Sequence, residues 1–426
     1  MTTSSPGTFR LGALVDAESH DRLDEPLLYE SADLTTHGVI VGMTGSGKTG
    51  LAIDLLEEAL SHGIPTLVID PKGDMGNLLL TFPQLRPEDF RPWIDERVAQ
   101  QREQTPDEFA AAQAQLWSEG LAGWNLGSPD ITALRDGAHF TIYTPGSDAG
   151  VPLDLIGSLA APSDGDGEDR RDRIESAVSS LLALLDIEAD PLSSPEHILL
   201  ANLIDHAWTT GLTVDLASLV GMVQDPPIRK LGVLELDAFY SKDDRTRLAL
   251  KLNGLLASPA FASWNQGMPL DIEQLLYRDG KPGAAIISIA HLGEQERQFV
   301  VTLVLSELIS WMRRQPGTSE LRALVHMDEV FGFVPPTANP PAKKPILTIL
   351  KQARAFGVGL VLASQNPVDL DYKAISNAGT WWIGRLQTEQ DKARLMDGLR
   401  TAAGSADVDL LSTRISGLAK REFVQH

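Results

Sequence analysis

Short apolar runs alternate along much of the chain with longer stretches in which apolar residues recur every three or four positions. Each run has the length of a buried strand, and each longer stretch has the spacing of a helix that packs one face against a core. Strands and helices that alternate in this way form a mainly parallel sheet flanked by helices. The pattern therefore predicts an α/β fold with strands at Val39–Val41, Pro65–Asp70, Phe140–Tyr143, Ala284–Ile289, Leu321–Met327, Val358–Ala363 and Thr380–Gly384.

Two segments interrupt this alternation. Residues 83–137 are rich in proline, tryptophan and charge, and we expect Trp93, Trp117 and Trp124 to pack this excursion against the core. Four helical patterns and no chemical motif follow later, which predicts a helical insertion. The expected organisation is an edge segment at 1–35, a first part of the core at 36–160, the insertion at 161–275 and a second part of the core at 276–426.

The last residues, 421–426, again have the pattern of a strand. A chain that stops within a strand is expected to be a piece of a longer protein.

One loop carries a complete phosphate-binding motif. Gly42–Thr49 fits the pattern G-x-x-x-x-G-K-[ST] and lies between a predicted strand and a predicted helix, as the motif requires. Glycines let backbone N–H groups point at phosphate oxygens, and the positive end of the following helix adds to the attraction. We expect Lys48 to contact the β- and γ-phosphates and the Thr49 hydroxyl to ligate Mg²⁺. The predicted nucleoside triphosphate site comprises Gly42, Thr44, Gly45, Ser46, Gly47, Lys48, Thr49 and Gly50.

An acidic pair follows another predicted strand, Leu321–Met327. We expect Asp328 to hold Mg²⁺, usually through water, and Glu329 to orient and polarise the water that attacks the γ-phosphate. A glutamate at the second position favours hydrolysis over nucleotide sensing alone.

Three further side chains are candidates for a role in hydrolysis of the γ-phosphate. Gln365 ends the strand Val358–Ala363, where it can hydrogen-bond the γ-phosphate or its attacking water, or be an ordinary strand-end amide. Arg354 precedes the same strand and Arg385 follows the next one. Either arginine could neutralise transition-state charge on a neighbouring subunit's nucleotide, or be a surface or salt-bridged residue.

The segment that follows Pro65–Asp70 is also polar. Ligands gather at the carboxyl edge of parallel strands, so Asp70, Lys72 and Asp74 either support the metal and water or form a solvated turn. The sequence leaves both interpretations open.

Composition limits the partners. The 426 residues carry 58 acidic and 36 basic side chains, a net charge of −22, which argues against a surface generally attractive to nucleic acid. A local basic channel remains compatible, with Lys343 and Lys344 as candidates and a solvated linker as the alternative. The sequence contains no cysteine, which excludes disulfides and cysteine-based zinc sites.

Nothing in the pattern predicts a membrane segment. The start of the chain lacks the features of a signal peptide, and the most apolar helical stretch, Phe299–Met312, is too short and too polar to span a bilayer. We therefore expect a cytoplasmic protein.

Five elements together resemble a known family. In their order along the chain, Gly42–Thr49, Ile69–Asp74, Met327–Glu329, Gln352–Gly357 and Val361–Pro367 are similar to the HerA/FtsK superfamily of ATPases. The resemblance covers about 36–82 and 280–400, and is strongest to the HerA-like branch with the helicase HerA central domain.

This resemblance implies a RecA-like (ASCE) P-loop NTPase core that hydrolyses ATP with Mg²⁺. It also implies a homo-hexameric ring with ATP at the subunit interfaces, which translocates double-stranded DNA through its pore. In the same comparison Arg354 aligns with the arginine that acts in trans, and Gln365 with the glutamine that senses the γ-phosphate. Two alternatives stay open: an ATPase whose polymer is a protein, and a nucleotide switch that assembles partners and hydrolyses slowly.

Overall fold

The computed structural model describes residues 7–155, 167–365, 370–371, 378–386, 388–403 and 408–426. The predicted boundary at 160/161 lies outside these residues. So do Asn366 and Pro367, which belong to the last of the five elements.

Most predicted strands are present within a residue or two of their expected bounds. The strands among the described residues are β1 (Thr8–Val15), β2 (Arg22–Glu30), β3 (Gly38–Val41), β4 (Thr66–Asp70), β5 (His139–Tyr143), β6 (Leu153–Asp154), β7 (Lys230–Leu231), β8 (Leu234–Glu235), β9 (Met268–Pro269), β10 (Tyr277–Arg278), β11 (Lys281–Ser288), β12 (Ala323–Met327), β13 (Val358–Ser364), β14 (Thr380–Ile383) and β15 (Val424–Gln425).

The helices include the long apolar stretch and the four helical patterns expected from the sequence. They are α1 (Lys48–Ser61), α2 (Pro87–Phe90), α3 (Glu96–Gln101), α4 (Pro106–Ala122), α5 (Ser128–Gly137), α6 (Gly167–Leu184), α7 (Pro195–Thr209), α8 (Leu216–Gln224), α9 (Leu236–Phe239), α10 (Lys242–Ala257), α11 (Ile272–Leu276), α12 (Glu294–Arg313), α13 (Lys343–Gln352), α14 (Glu389–Ala403) and α15 (Val408–Gly417).

Among the described residues, nine strands form one sheet. From β5 the order runs β11, β4, β12, β13, β3, β14 and β15, and β10 pairs with the beginning of β11. The neighbours from β5 to β14 are parallel, whereas β10 and β15 are antiparallel. The predicted α/β fold with a mainly parallel sheet is confirmed. Because the parallel strands share a direction, their carboxyl ends meet at one edge, where ligands bind in such sheets.

Both faces of the sheet are covered, which explains why its central strands are apolar throughout. Side chains alternate between the faces, so Val39 and Val41 of β3 join one cluster and Ile40 joins the other. The cluster with Ile40 contains Leu55 of α1 and Phe9 of the β1–β2 hairpin. The hairpin therefore packs on α1.

The helices of the predicted insertion extend the other face. α6 packs against α12, and the buried residues of α6, α7, α8 and α10 belong to the same hydrophobic cluster as those of the sheet. α12 is buried along most of its length because it lies in the same cluster as the sheet and directly against α6. Among the described residues, no helix has the length and apolarity needed to cross a membrane, α12 included.

The excursion packs differently from expectation. Its small cluster consists of Phe90, Ala110 and Ala114 with nearby apolar groups, so the tryptophans are not needed to close it. Trp93 is 66% exposed and Trp117 is 55% exposed, which makes the expectation for these two wrong. Trp124 is covered by the Arg22 guanidinium, 4.3 Å from the ring centre.

The turn that precedes β13 contains a glycine, Gly357, whose replacement is expected to lower the free energy of unfolding. Gly357 has a φ of 73°, and a β-carbon there would lie 2.3 Å from the Glu320 carbonyl oxygen. We expect Gly357→Ala to destabilise the fold by about 3 kcal/mol, because it adds a backbone clash to the strain of a left-handed alanine. Thermal unfolding measures the change.

Gly63→Ala is the matched control, since Gly63 has a φ of 78° but no atom within 4 Å of the added carbon. Its cost is expected to stay near the left-handed strain alone, about 1 kcal/mol. Equal losses of melting temperature in the two variants would contradict the packing argument.

Candidate nucleotide-binding site

The phosphate-binding motif forms the connection between β3 and α1. Gly45 and Gly47 have φ angles of 77° and 110°, in the left-handed region that side chains disfavour. The loop is fixed from both sides: Gly42 N donates to the Ser364 carbonyl at the end of β13 (3.3 Å), and Met43 N donates to the carbonyl of the residue two positions after β14 (2.7 Å). The loop therefore has a defined place between the ends of the two strands that flank β3.

Lys48 closes this loop. Its side chain is only 7% exposed, and Nζ donates to the carbonyl oxygens of Gly42 (2.5 Å) and Met43 (3.2 Å). Burial lowers the pKa of Lys48, while the charges of Glu329 and Asp328 act to raise it. The lysine predicted from the motif is thus in electrostatic contact with the acidic pair predicted from a distant strand.

Asp328 lies directly after β12 and is buried, with 4% of its surface exposed. Burial raises the pKa of its carboxyl to about 6, against the opposing effect of the Lys72 charge. Its Oδ2 atom is buried and has no hydrogen-bond partner among the described residues. A buried carboxylate oxygen is costly unless a cation or a donor compensates it.

Those features fit Mg²⁺. The ion prefers hard oxygen ligands and takes few of them from the protein when substrate phosphates supply others. In the described part of the chain no group of three or more carboxylate, histidine or cysteine ligands is present that could hold a metal ion alone. The pair predicted from the sequence, Asp328 and the Thr49 hydroxyl in the first turn of α1, therefore agrees with a metal ion that would take its remaining ligands from phosphates and water.

Glu329 has an unusual backbone. Its φ is 51°, in the left-handed region, which costs of the order of 1 kcal/mol or more for a residue other than glycine. Its Oε2 forms an ion pair with Lys72 Nζ at 2.7 Å, and its Oε1 accepts from Ser364 Oγ and Gln365 N, both at 3.4 Å. Strain of this kind is typical of functional positions. Glu329 is thereby connected to groups that follow β4 and end β13.

Gln365 lies between the phosphate-binding loop and Glu329. Its Oε1 accepts a hydrogen bond from Thr44 Oγ1 at 2.7 Å. The backbone N–H of the same residue approaches the Glu329 carboxylate. Gln365 therefore contacts both the loop with the phosphate-binding motif and the carboxylate of Glu329.

The two interpretations of the segment after β4 apply to different residues. Asp70 accepts from the backbone N–H groups of Lys72 (3.2 Å), Gly73 (2.7 Å) and Met75 (3.1 Å), so it holds its own turn together. Lys72, in contrast, reaches Glu329. Burial is the largest cause of the raised pKa of Asp328, and the charges of Asp70 and, to a smaller extent, Asp74 raise it further.

The two candidate arginines occupy opposite edges of the sheet. Arg354 is exposed on the turn Ala353–Phe356, which precedes β13, whereas the phosphate-binding loop lies at the other end of that strand. Seven residues of β13 separate the two edges, a distance of about 20 Å at the usual rise of a strand. Arg354 therefore cannot reach the nucleotide site of its own chain.

Arg385 is close to the loop of its own chain. Its carbonyl is the acceptor for Met43 N, and its side chain is exposed. It lies beyond β3 from Glu329, since β12 and β13 are on one side of β3 and β14 is on the other. A second arginine at this edge, Arg421, contacts the loop at Gly47, and no local pattern in the sequence indicated it.

Lys343 and Lys344, the two candidates for a basic channel, have partners within the chain. Lys343 is buried and donates to the carbonyl oxygens of Pro335 (2.6 Å) and Ala338 (3.2 Å). It also forms an ion pair with Asp371 at 3.0 Å. Neither of the two alternatives, a basic channel or a solvated linker, fits Lys343, because it is buried and its charge fixes the proline-rich loop. Lys344 forms an ion pair with Glu175 at 2.6 Å.

One protein-family model matches part of the sequence, and several solved structures have a similar fold. Residues 9–126 match the family described as "Helicase HerA, central domain" (DUF87). None of the curated proteins matches the sequence.

Among solved structures, VirB4 of Thermoanaerobacter pseudethanolicus has a TM-score of 0.58 at 13% identity, over 98% of this chain and 93% of that one. The plasmid coupling protein TrwB in complex with the GTP analogue GDPNP has a TM-score of 0.53 at 12% identity, over 96% and 85%. TrwB with ADP and Mg²⁺ has a TM-score of 0.51 at 12% identity, over 96% and 84%. At such low identity the likeness shows the fold, and the ligands in the TrwB structures agree with the predicted cofactors, ATP and Mg²⁺. The match over residues 9–126 agrees with the resemblance to the HerA-like branch of the HerA/FtsK superfamily that the sequence motifs indicate, and over nearly the whole chain the fold is the RecA-like P-loop fold that VirB4 and TrwB share.

Proposed function

We propose that this protein binds and hydrolyses ATP with Mg²⁺, and that it works as a ring-type motor that translocates double-stranded DNA. The observation that carries the proposal is the convergence of Lys48, Asp328, Glu329 and Gln365 at one edge of the sheet. β12 and β3 are separated only by β13, so their ends lie about 10 Å apart, a span that a triphosphate with its metal fills.

Each side chain has a role that its position supports. Lys48 exchanges its loop carbonyls for the β- and γ-phosphate oxygens when ATP binds. Asp328 and the Thr49 hydroxyl hold Mg²⁺, which when bound neutralises charge on the phosphates. Glu329 orients a water for attack on the γ-phosphate, and Gln365 contacts the γ-phosphate or that water. Water attack forms a new P–O bond, and the bond between the γ-phosphorus and the bridging oxygen of ADP breaks.

The position of Arg354 supports an assembly. It is exposed, it lies at the edge away from its own site, and the described residues offer its side chain no hydrogen bond or ion pair. An arginine finger supplied by a neighbour would complete each site, as in a homo-hexameric ring with nucleotide between subunits. Arg385, on the same edge as its own loop, fits this trans role less well.

Two candidate functions differ in the polymer on which the ATPase acts, DNA or protein. Translocation of DNA is favoured by the HerA central-domain match and by the likeness to TrwB, a plasmid coupling protein. An ATPase that acts on a protein partner is favoured by the net charge of −22 and by the internal ion pairs of Lys343 and Lys344. The two functions use the same ATP site and differ in what stimulates it.

Removal of the loop lysine tests the site itself. We expect Lys48→Ala to weaken binding of the ATP analogue ADPNP by at least about 100-fold, because a buried cation aimed at phosphates is lost. Isothermal titration calorimetry in the presence of Mg²⁺ measures the change. Lys344→Ala, which removes a lysine paired with Glu175 of α6, is expected to bind like the unchanged protein. Unaltered affinity in Lys48→Ala would refute the assignment of the loop.

Stimulation by DNA tests the polymer. A DNA motor is expected to hydrolyse ATP several-fold faster with double-stranded DNA, and to lose this stimulation steeply as salt rises, because phosphate contacts release counterions. Steady-state turnover is measured on size-fractionated protein, with Lys48→Ala as the blank for contaminating activity.

Polyglutamate serves as the matched polyanion that lacks a duplex. Turnover that is indifferent to DNA, or equal stimulation by polyglutamate, would sink the DNA motor and leave a protein partner as the substrate.

Loss of Arg354 tests the assembly. Arg354→Ala is expected to bind ADPNP almost normally and to lose turnover by a factor on the order of 10³ or more, because only transition-state charge is left uncompensated. Mixing it with Glu329→Gln protein is expected to restore part of the activity, since some interfaces then combine an intact Glu329 with an intact Arg354. Arg385→Ala is the matched comparison. Absence of recovery in the mixture would count against action across an interface.

A further inference from the structure

We propose that Arg421 binds the nucleotide of its own chain at the end opposite the γ-phosphate, where its guanidinium contacts the α-phosphate beside the nucleoside. The inference rests on the proposed ATP site and adds to it a ligand from residues 418–426, which are far from the phosphate-binding loop in sequence. The affinity for the nucleotide would then depend on residues 418–426 as well as on the phosphate-binding loop and the acidic pair.

Direct contact with the loop carries the first step. Arg421 N donates to the Ser46 carbonyl at 2.8 Å. A β-carbon at Gly47 would lie 3.2 Å from both Cα and Cγ of Arg421, which is tighter than side chains normally pack. Gly47 is the residue before Lys48, so the base of the Arg421 side chain lies against the start of α1, where phosphates bind.

The backbone around Arg421 is held in place from several directions. β15 pairs with β14 through Val424 and Gln425. The Phe423 ring approaches Gly384, where a β-carbon would lie 2.9 Å from it. Glu422 accepts from Ala419 N (2.8 Å) and forms an ion pair with His20 (2.9 Å) if that histidine is protonated. These contacts fix the backbone of Arg421 beside the phosphate-binding loop.

Arg421 itself adopts a costly conformation with its charge left available. Its φ is 68°, in the left-handed region. The side chain is exposed, and within the described residues the guanidinium has no hydrogen bond and no ion pair. Arg421 therefore has a strained backbone that several contacts hold in place, and its guanidinium is available to bind an anion at the loop.

Strand order fixes which end of the nucleotide this is. Glu329 and Gln365 follow β12 and β13, on one side of β3, so the γ-phosphate points to that side. Arg421 precedes β15, and β14 and β15 lie on the other side of β3. A nucleotide that crosses the loop with its γ-phosphate at Gln365 presents its α-phosphate and nucleoside to Arg421.

Affinities for two nucleotides test the inference in the full chain. Arg421→Ala is expected to weaken ADP and ADPNP alike, each by about tenfold, because a charge-assisted hydrogen bond to a group common to both is lost. Arg421→Lys, which keeps the charge, is expected to recover part of the affinity for both. Lys420→Ala, the neighbouring exposed cation, is the matched control and is expected to bind both nucleotides normally. Calorimetry with Mg²⁺ supplies all eight constants, with unchanged protein measured alongside.

The outcomes separate this inference from the proposed function. If the unchanged protein binds neither nucleotide, the proposed ATP site fails. If it binds both and Arg421→Ala binds them equally well, the role of Arg421 fails while the site stands. A loss for ADPNP alone would place Arg421 at the γ-phosphate and overturn the inference, as would an equal loss in Lys420→Ala.

Arg421→Gly removes the same side chain but accepts the left-handed backbone, and so covers the case in which alanine disturbs the segment. It is expected to show the same tenfold loss for both nucleotides with the melting temperature of the unchanged protein. Normal affinity in Arg421→Gly would overturn the inference whatever Arg421→Ala does.

Discussion

The pairing of β13 with β3 on one side and with β12 on the other is the interaction on which the site depends. Its register sets Ser364 beside Val41 and Leu362 beside Met327. The hydrogen bond from Gly42 N to Ser364 then extends the ladder into the phosphate-binding loop. Because strand side chains alternate, a slip of one residue would turn every apolar side chain of β13 to the opposite face. The two hydrophobic clusters forbid that slip, and so the core fixes the positions of the loop and the carboxylates.

The site concentrates charge and backbone strain at the carboxyl edge of the sheet. Lys48 and Asp328 are both buried, and burial disfavours the charged form of each. Glu329 has a left-handed backbone and its carboxylate is held by Lys72. None of this stabilises the fold by itself. A nucleotide with a divalent cation would compensate the buried Lys48 ammonium and the unpaired carboxylate oxygen of Asp328 together. The cost of burying these two groups therefore favours a nucleotide site over a structural charge cluster.

The helical layer has a different consequence. α6 to α10 share the core of the sheet through α12, so they make a large apolar face inaccessible. Lys344 is neutralised by Glu175 of α6, and Arg313 of α12 approaches Asp172. These basic side chains are thus used to attach one layer to the next.

Local patterns determined a good part of this protein. The apolar strands, the helical spacing of α12 and the complete motif at Gly42–Thr49 each depend on residues that are neighbours in the chain, so the α/β fold and the nucleotide loop followed from the sequence. Tertiary structure alone decided that Lys72 pairs with Glu329 across 257 positions, that Arg421 lies on the loop, that Lys343 is buried and that Trp93 is exposed. Such contacts depend on strand order and on which face each element buries, and neither quantity is encoded in a short stretch of sequence.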